Sequence, residues 1–138
     1  MCRENPDRGA GGCCAMMERG CVVIRRGRSV LAFHHPLAGA QLGKGQREAG
    51  ESAPACARRD LREDAGVTAW RLVVRGYLPA LRWSMVKAWA GPLPPRWDHA
   101  RADDGGHVFR VFWHRLGTPE GAFPPHFRRA LRAVEMWP

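Results

Sequence analysis

The sequence predicts an α/β domain in which a mixed β-sheet lies between helices. Strand-like apolar runs occur before and after a helix with clear start and stop signals, in the order β-β-loop-α-β-β-loop-β-α. A second amphipathic helix closes the chain. With 138 residues, the chain is long enough for one compact domain and too short for two comfortable ones.

The first two strands are predicted to form a β-hairpin. Residues 21–24 and 29–33 are rich in apolar and β-branched side chains, and Gly27 lies between them in a turn. Two such runs on either side of a glycine-bearing turn are typical of a hairpin. Residues 34–41, which include proline and glycine, are predicted as a loop, and the glycine-rich residues 43–50 as an irregular segment.

The central helix is predicted over residues 53–65. Ser52 is a good N-cap because its hydroxyl accepts a hydrogen bond from a backbone N–H of the first turn. Pro54 fits the first turn, where its missing donor costs little. Gly66 stands where a left-handed C-terminal cap belongs. These signals predict both ends of the helix.

The second half of the chain contains further predicted strands and a helix. Residues 72–78 and 83–89 are predicted as a pair of strands, and residues 107–116 alternate as expected of another. The proline- and glycine-rich residues 91–106 are predicted as a connection. Apolar residues then recur at helical spacing and predict the closing helix: Phe127, Ala130, Leu131 and Val134.

The chain is strongly basic, with 22 Lys and Arg residues against 13 Asp and Glu residues and a net charge of +9. All the cations except Lys44 and Lys87 are arginines, for which a GC-rich coding sequence is one explanation. The positive field itself attracts polyanions such as nucleotides, polyphosphates and RNA. Apolar runs are short, and the first residues lack the apolar region of a secretory signal. The sequence therefore predicts a cytoplasmic protein without a membrane span.

Three acidic residues of the central helix form the most informative local pattern. Asp60, Glu63 and Asp64 stand at i, i+3 and i+4, so one helical turn carries all three on one face. A solvated acidic face is the common interpretation of such a cluster. Here the rest of the chain is basic and a glycine-rich loop precedes the helix, which favours a cation site. Oxygen ligands of this kind suit Mg²⁺ or Mn²⁺.

The residues around this cluster resemble a Nudix box. The Nudix signature is Gly, five residues, Glu, seven residues, and then Arg-Glu-aliphatic-x-Glu-Glu-x-Gly-aliphatic. The chain has Gly45, five residues, Glu51, seven residues, and then Arg-Asp-Leu-Arg-Glu-Asp-Ala-Gly-Val from Arg59 to Val67. Every spacing is kept, and the departures are Asp in place of Glu at positions 60 and 64. The chain therefore resembles the Nudix hydrolase superfamily.

The resemblance implies a fold, an activity and a set of site residues. The fold is the Nudix α/β/α sandwich, and the activity is hydrolysis of a phosphoanhydride bond with Mg²⁺ or Mn²⁺. Glu51 and Arg59 are implied to hold the loop to the helix and to complete the catalytic set. Because Asp is one methylene shorter than Glu, its carboxylate reaches roughly 1.5 Å less far, which bears on the quality of the metal site. The implied metal site combines three carboxylates with the closely approaching backbone of a glycine: Asp60, Glu63, Asp64 and Gly45.

Three residues are predicted to bind the substrate. Lys44 lies in Leu-Gly-Lys-Gly, which is similar to the Leu-Pro-Lys-Gly of the dinucleoside-polyphosphate and diphosphoinositol-phosphate branches. Arg47 is predicted to line the phosphate path, and Trp97, in a predicted loop, to stack on a nucleobase. Asp103 and Asp104 are candidates for a further ligand or a general base, with a role in a turn as the alternative.

These residues predict a hydrolase of a nucleoside diphosphate-linked or polyphosphate substrate, with a dinucleoside polyphosphate or a related compound favoured. The alternative is a catalytically weak Nudix-fold module that binds nucleotide or RNA as a sensor. Residues 1–19 are predicted as a loose leader and residues 20–138 as the Nudix domain. RNA and a second copy of the chain are both compatible with the sequence as partners, and no membrane is expected.

Overall fold

The computed structural model describes residues 17–101 and 106–138. Most of the predicted leader therefore lies outside the described residues. The described residues form these elements in chain order: β1 Arg19–Arg26, β2 Ser29–His35, β3 Gly39–Gln41, β4 Gly43–Gln46, α1 Ala53–Ala65, β5 Arg71–Leu78, β6 Trp83–Trp89, β7 Trp97–Ala100, β8 Val108–Arg115 and α2 Pro125–Glu135.

The strands form a mixed sheet with the order β5-β6-β1-β2-β8-β7. β1 runs parallel to β6 and antiparallel to β2, as expected of a mixed sheet and of the predicted hairpin. β1 and β2 pair at the turn, through Arg25 with Val30 and Arg26 with Ser29. Residues 19–22 of β1 pair instead with β4. This split brings the glycine-rich β4 to the centre of the sheet, where α1 packs against it.

The two helices cover opposite faces of the sheet. Val22 and Ile24 of β1 join the core under α1, whereas Cys21 and Val23 join the core under α2, because successive side chains of a strand point to opposite faces. The predicted α/β/α arrangement is confirmed. Neither helix within the described residues is long and apolar enough to cross a membrane. The buried stripe of α2 consists of the four residues predicted for it: Phe127, Ala130, Leu131 and Val134.

Both ends of α1 follow from local sequence. The hydroxyl of Ser52 accepts a hydrogen bond of 3.2 Å from the backbone N–H of Ala55. Pro54 lies in the first turn, as predicted. Gly66 has a φ of 71°, and its N–H donates to the carbonyl of Arg62 at 3.0 Å. Only glycine adopts this left-handed conformation without strain, so the helix ends where the sequence predicts.

Three short strands lie where the sequence predicts loop or irregular backbone. β3 pairs with β2, β4 with β1, and β7 with β8, so the prediction for residues 34–41, 43–50 and 91–106 is wrong in these parts. Each strand has three or four residues, and two of the three are rich in glycine. Their own β-propensity is weak, and the neighbouring strand supplies the pairing.

Candidate active site

Close packing between β4 and α1 forms the centre of the candidate site. The two glycines of β4 face α1. A Cβ atom at Gly45 would lie 2.8 Å from Oδ1 of Asp60, and one at Gly43 would lie 3.2 Å from Oδ2 of the same side chain. Interiors are packed too densely for such an approach to be absorbed without movement. The missing Cβ atoms therefore let the short side chain of Asp60 lie directly against the backbone of β4.

Asp60 and Asp64 are buried acids, each 3% exposed and one helical turn apart. Oδ2 of Asp60 is buried and has no hydrogen-bond partner among the described residues. Burial, and then the charge of Asp64, raises the pKa of Asp60 well above its usual range. Burial likewise raises the pKa of Asp64 to about 6, although the charge of Arg101 acts in the opposite direction. Two adjacent buried carboxylates of this kind are stabilised by any cation placed between them.

Glu63, the third predicted ligand, is more exposed than the other two acids. Its side chain is 42% exposed, and Oε1 lies 3.7 Å from Nη1 of Arg59 and 3.6 Å from Nη2 of Arg101. Across residues 17–101 and 106–138, no three His, Cys, Asp or Glu side chains converge into a ready-made metal cage. The structure thus brings Asp60 and Asp64 together and leaves Glu63 in contact with two arginines.

Arg101 is a site residue that the sequence analysis missed. Its Nη1 donates to Oδ1 of Asp64 at 2.6 Å, and its side chain is only 19% exposed. No motif distinguishes this arginine from the many others in the chain. The one signal in the sequence is indirect, since three clustered acids need a cation nearby. The neighbouring candidates Asp103 and Asp104 lie outside the described residues.

β7 positions Arg101 by docking on the C-terminal end of α1. Trp97 donates from Nε1 to the carbonyl of Ala65 at 3.0 Å. Nε2 of His99 lies 3.0 Å from the carbonyl of Glu63, and because a carbonyl only accepts, this nitrogen carries the proton. The last carbonyls of a helix lack partners within it, so both bonds satisfy groups that would otherwise be free. Arg101 follows His99 by two residues, so its side chain lies on the same face as those of Trp97 and His99 and reaches Asp64.

Glu51 and Arg59 form the contact that the Nudix box implies. Arg59 donates from Nε to Oε2 of Glu51 at 3.0 Å and from Nη2 to Oε1 at 2.9 Å. The same Nη2 donates to the carbonyl of Gln46 at 2.9 Å. The hydrogen bond from Arg59 holds the pKa of Glu51 below its usual range. This paired geometry ties the segment between β4 and α1 to the helix.

Lys44 and Arg47 make contacts within the protein. Nζ of Lys44 lies 5.3 Å from the ring centroids of both Trp83 and Phe127, on the face of β4 opposite to α1. Burial is the main reason that the pKa of Lys44 is lowered. Arg47 donates from Nε and Nη2 to the carbonyl of Glu51, at 3.2 and 3.0 Å. The structure brings neither cation into an ion pair with a described acid.

Trp97 lies in β7 and not in a loop, so that part of the prediction is wrong. Its side chain packs against the core under α1, and Trp97 is also one of the residues that line a surface pocket of about 350 Å³, with Arg96, Asp98 and Arg110. Asp98 and Arg110 pair across β7 and β8 and alternate with Trp97 and Val111 of the core under α1, so they lie on the other face of these strands. The guanidinium groups of Arg96 and Arg110 suit a ligand that carries phosphate.

Comparison with known proteins decides the family. The family model of the NUDIX domain matches residues 7–138, which is nearly the whole chain. The chain belongs to the Nudix family. No curated protein matches its sequence.

Solved Nudix structures share the fold at low sequence identity. A Chromobacterium violaceum protein assigned to the nudix hydrolases is 15% identical with a TM-score of 0.67, over 87% of this chain and 77% of the other. A NUDIX hydrolase from Nitrosomonas europaea is 14% identical with a TM-score of 0.64, over 86% and 88%. An ADP compounds hydrolase is 19% identical with a TM-score of 0.61, over 87% and 71%. These likenesses establish the Nudix fold, while the substrate has to be argued from the site.

Proposed function

We propose that this Nudix domain hydrolyses a phosphoanhydride bond and requires Mg²⁺ or Mn²⁺. The proposed substrate is a nucleoside diphosphate-linked or polyphosphate compound, with a dinucleoside polyphosphate or a related compound favoured. One observation carries the proposal. Within an intact box spacing, Asp60 presents a buried oxygen without a partner beside the buried carboxylate of Asp64. Such a pair is suited to a hard divalent cation.

The residues present fit a divalent cation. Asp60 and Asp64 would hold it, Glu63 would join from the more exposed side, and Gly45 lets Asp60 lie against the backbone of β4. Mg²⁺ commonly uses one or two carboxylates and completes its shell with water and substrate phosphate, so two buried acids are sufficient. When bound, such an ion neutralises charge on phosphate oxygens and activates water. The short reach of Asp60 is offset by the close approach of β4 to α1.

The other residues of the site have distinct proposed roles. Glu51 and Arg59 fix the loop that faces the acids. Glu63 is the box carboxylate most open to solvent and is proposed to accept a proton from the attacking water. The pocket that Trp97 helps to line is proposed to receive a nucleotide. Lys44 contributes positive charge to the phosphate-binding region, but its contacts with Trp83 and Phe127 argue against direct phosphate contact.

Arg47 is proposed to shape the loop between β4 and α1. The two donors of Arg47 are engaged by a backbone carbonyl, which supports a role in shaping the loop rather than in binding phosphate directly.

The cytoplasm is the proposed location, because nucleotides are its ordinary solutes and because Cys21 and Cys56 are free thiols.

A nucleotide- or RNA-binding sensor with weak catalysis is the second candidate. The observation that favours it is the position of Glu63, whose carboxylate is partly exposed and lies near the guanidinium groups of Arg59 and Arg101. A site with two carboxylates in place can bind a metal–nucleotide complex and still turn over slowly.

Phosphate release from a panel of phosphoanhydrides separates the two candidates. The panel contains dinucleoside polyphosphates, nucleoside triphosphates and ADP-linked sugars, each assayed with Mg²⁺, with Mn²⁺ and with EDTA. We expect phosphate release in the assays that contain Mg²⁺ or Mn²⁺ and no release in EDTA. The variant Asp64→Ala should release no phosphate under any of these conditions. Glu135→Ala, an exposed acid of α2, is the matched control and should retain turnover. Ligand binding without turnover in the wild type would support the sensor instead.

A further inference from the structure

Positively charged side chains surround Trp89 at the end of β6. Cζ of Arg71 lies 4.7 Å from a ring centroid of Trp89, Nζ of Lys87 lies 5.0 Å away, and Cζ of Arg75 lies 6.0 Å away. The pKa of Lys87 is lowered mainly by burial. It is lowered further by the positive charges of three neighbouring arginines, Arg75, Arg25 and Arg71. We call Arg25, Arg71, Arg75 and Lys87 the basic cluster.

The basic cluster lies on the other side of the sheet from the candidate active site. Arg71 pairs with Trp89 across β5 and β6, so their side chains share a face. Lys87 pairs with Val23 of β1, and Val23 belongs to the core under α2. Arg25 is the next alternate residue of β1 and shares that face. Asp60 and Asp64, in contrast, lie on α1, at the opposite face of the sheet.

The charges of the basic cluster are not balanced by acids. Within residues 17–101 and 106–138, none of its four side chains forms an ion pair. Arg71 and Arg75 are exposed, and both lie on β5, which is an edge strand of the sheet. Like charges held this close repel each other and are favoured where an anion is bound between them. The arrangement therefore calls for a negatively charged partner.

A second copy of the chain does not fit this surface. Pairing of β5 with β5 of another copy would bring Arg71 and Arg75 against the same residues of that copy. Charged edge strands of this kind resist edge-to-edge association. The net charge of +9 on each copy adds to the repulsion.

We propose that the basic cluster, together with Trp89, binds single-stranded nucleic acid. Backbone phosphates would draw guanidinium and ammonium groups away from the indole, and a base would stack in the place that a cation leaves. An acidic protein segment would also neutralise the charge, but it does not use the ring that three of the four cations surround. Because the surface lies on the face opposite to the carboxylates, the inference stands apart from the proposed hydrolysis.

Binding of a labelled oligouridylate of about 12 nucleotides to the full chain, followed by fluorescence anisotropy, tests the inference. We expect the double variant Arg71→Ala/Arg75→Ala to bind about tenfold more weakly. The slope of log affinity against log salt should fall in magnitude by about 1.4, since each phosphate contact on a single strand contributes about 0.7. Arg129→Ala/Arg132→Ala on α2 removes the same charge from exposed positions and is the matched control.

Trp89→Leu separates nucleic acid from simple polyanion binding. It should weaken oligouridylate binding about fivefold and leave binding of inorganic polyphosphate unchanged. Thermal melting of each variant verifies that it is folded. Equal losses in the cluster and control variants would overturn the inference, as would unchanged oligouridylate binding in Trp89→Leu. Hydrolysis of small nucleotides should be unaffected in Arg71→Ala/Arg75→Ala, so this test is independent of the proposed activity.

Discussion

Nη1 of Arg101 donates a hydrogen bond of 2.6 Å to Oδ1 of Asp64, which joins the end of β7 to the acids of the Nudix box. Asp64 is 3% exposed, so this guanidinium supplies positive charge where water supplies little. The box alone therefore does not complete the site. A residue 37 positions away in sequence supplies the countercharge of Asp64.

We expect Arg101→Ala to lower the free energy of unfolding by about 2 kcal/mol at pH 7 in EDTA. The reason is that removing one partner leaves buried carboxylates without their countercharge. Urea denaturation measures the change. Arg110→Ala, whose 3.9 Å contact with Asp98 is largely exposed, is the control and should shift stability by less than about 0.5 kcal/mol. Equal effects of the two substitutions would contradict this assignment.

Stability should fall as pH rises through the range in which Asp64 loses its proton. The folded pKa of Asp64 is raised from 3.8 to about 6, so the folded state binds the proton more tightly than the unfolded state. The proton on Asp64 stabilises the folded state fully below about pH 4. This stabilisation, on the order of 3 kcal/mol, is lost as pH rises through about 6, and the curve is flat above about pH 7.

The measurement for this prediction is urea denaturation in EDTA at several pH values, as the difference between wild type and Asp64→Asn. The difference cancels groups of opposite sign such as Glu51, whose lowered pKa adds stability that is lost as pH falls. Parallel curves for the two proteins would rule out a raised pKa at Asp64.

Gly45→Ala should damage both stability and turnover. Its Cβ atom would meet Oδ1 of Asp60 at 2.8 Å, so either the Asp60 carboxylate leaves its position or β4 and α1 move apart. We expect a loss of about 1–3 kcal/mol in unfolding free energy and a loss of metal-dependent phosphate release. Gly91→Ala places a methyl group in open space and is the matched control. A crystal structure of Gly45→Ala in which both β4 and the Asp60 carboxylate are unmoved would contradict the explanation.

Arg59→Lys should fail to replace arginine. Arg59 makes two bonds to Glu51 and one to the carbonyl of Gln46, and an ammonium group does not reproduce this fork. We expect a loss of about 1–2 kcal/mol in urea denaturation and a reduced kcat. The adjacent Arg58→Lys changes an exposed side chain and should behave as wild type. If Arg59→Lys matched the wild type in both measurements, the hydrogen bonds of Arg59 to Glu51 and Gln46 would contribute neither to stability nor to turnover.

The parts of the fold that the sequence predicts correctly are those with local chemical signals. Ser52 and Gly66 mark the ends of α1 because capping depends on neighbouring residues alone. The stripe of α2 and the hairpin of β1 and β2 follow from periodicity. β4 and β7 were missed because their pairing depends on strands far away in the sequence, and the glycines of β4 read as irregular backbone.

The candidate site shows the same division. The spacing of the box brings Glu51 and Arg59 into contact, which the resemblance implies directly. It does not reveal that Glu63 turns to two arginines, since burial within a helical turn depends on what packs against it. Lys44 is adjacent to the box, but strand alternation directs it to the other face of β4. Arg101 is brought to the acids by the pairing of β7, which no local pattern encodes.

The most direct test of the central claim is phosphate release from a dinucleoside polyphosphate by the wild type and by Asp60→Asn/Asp64→Asn. The assays contain Mg²⁺ or EDTA, and Glu135→Ala serves as the control. We expect the wild type and Glu135→Ala to release phosphate in Mg²⁺ and not in EDTA. The double variant should remain folded and release no phosphate in either condition. Equal release by the double variant, or release by the wild type in EDTA, would contradict the proposed metal-dependent role of the two buried acids.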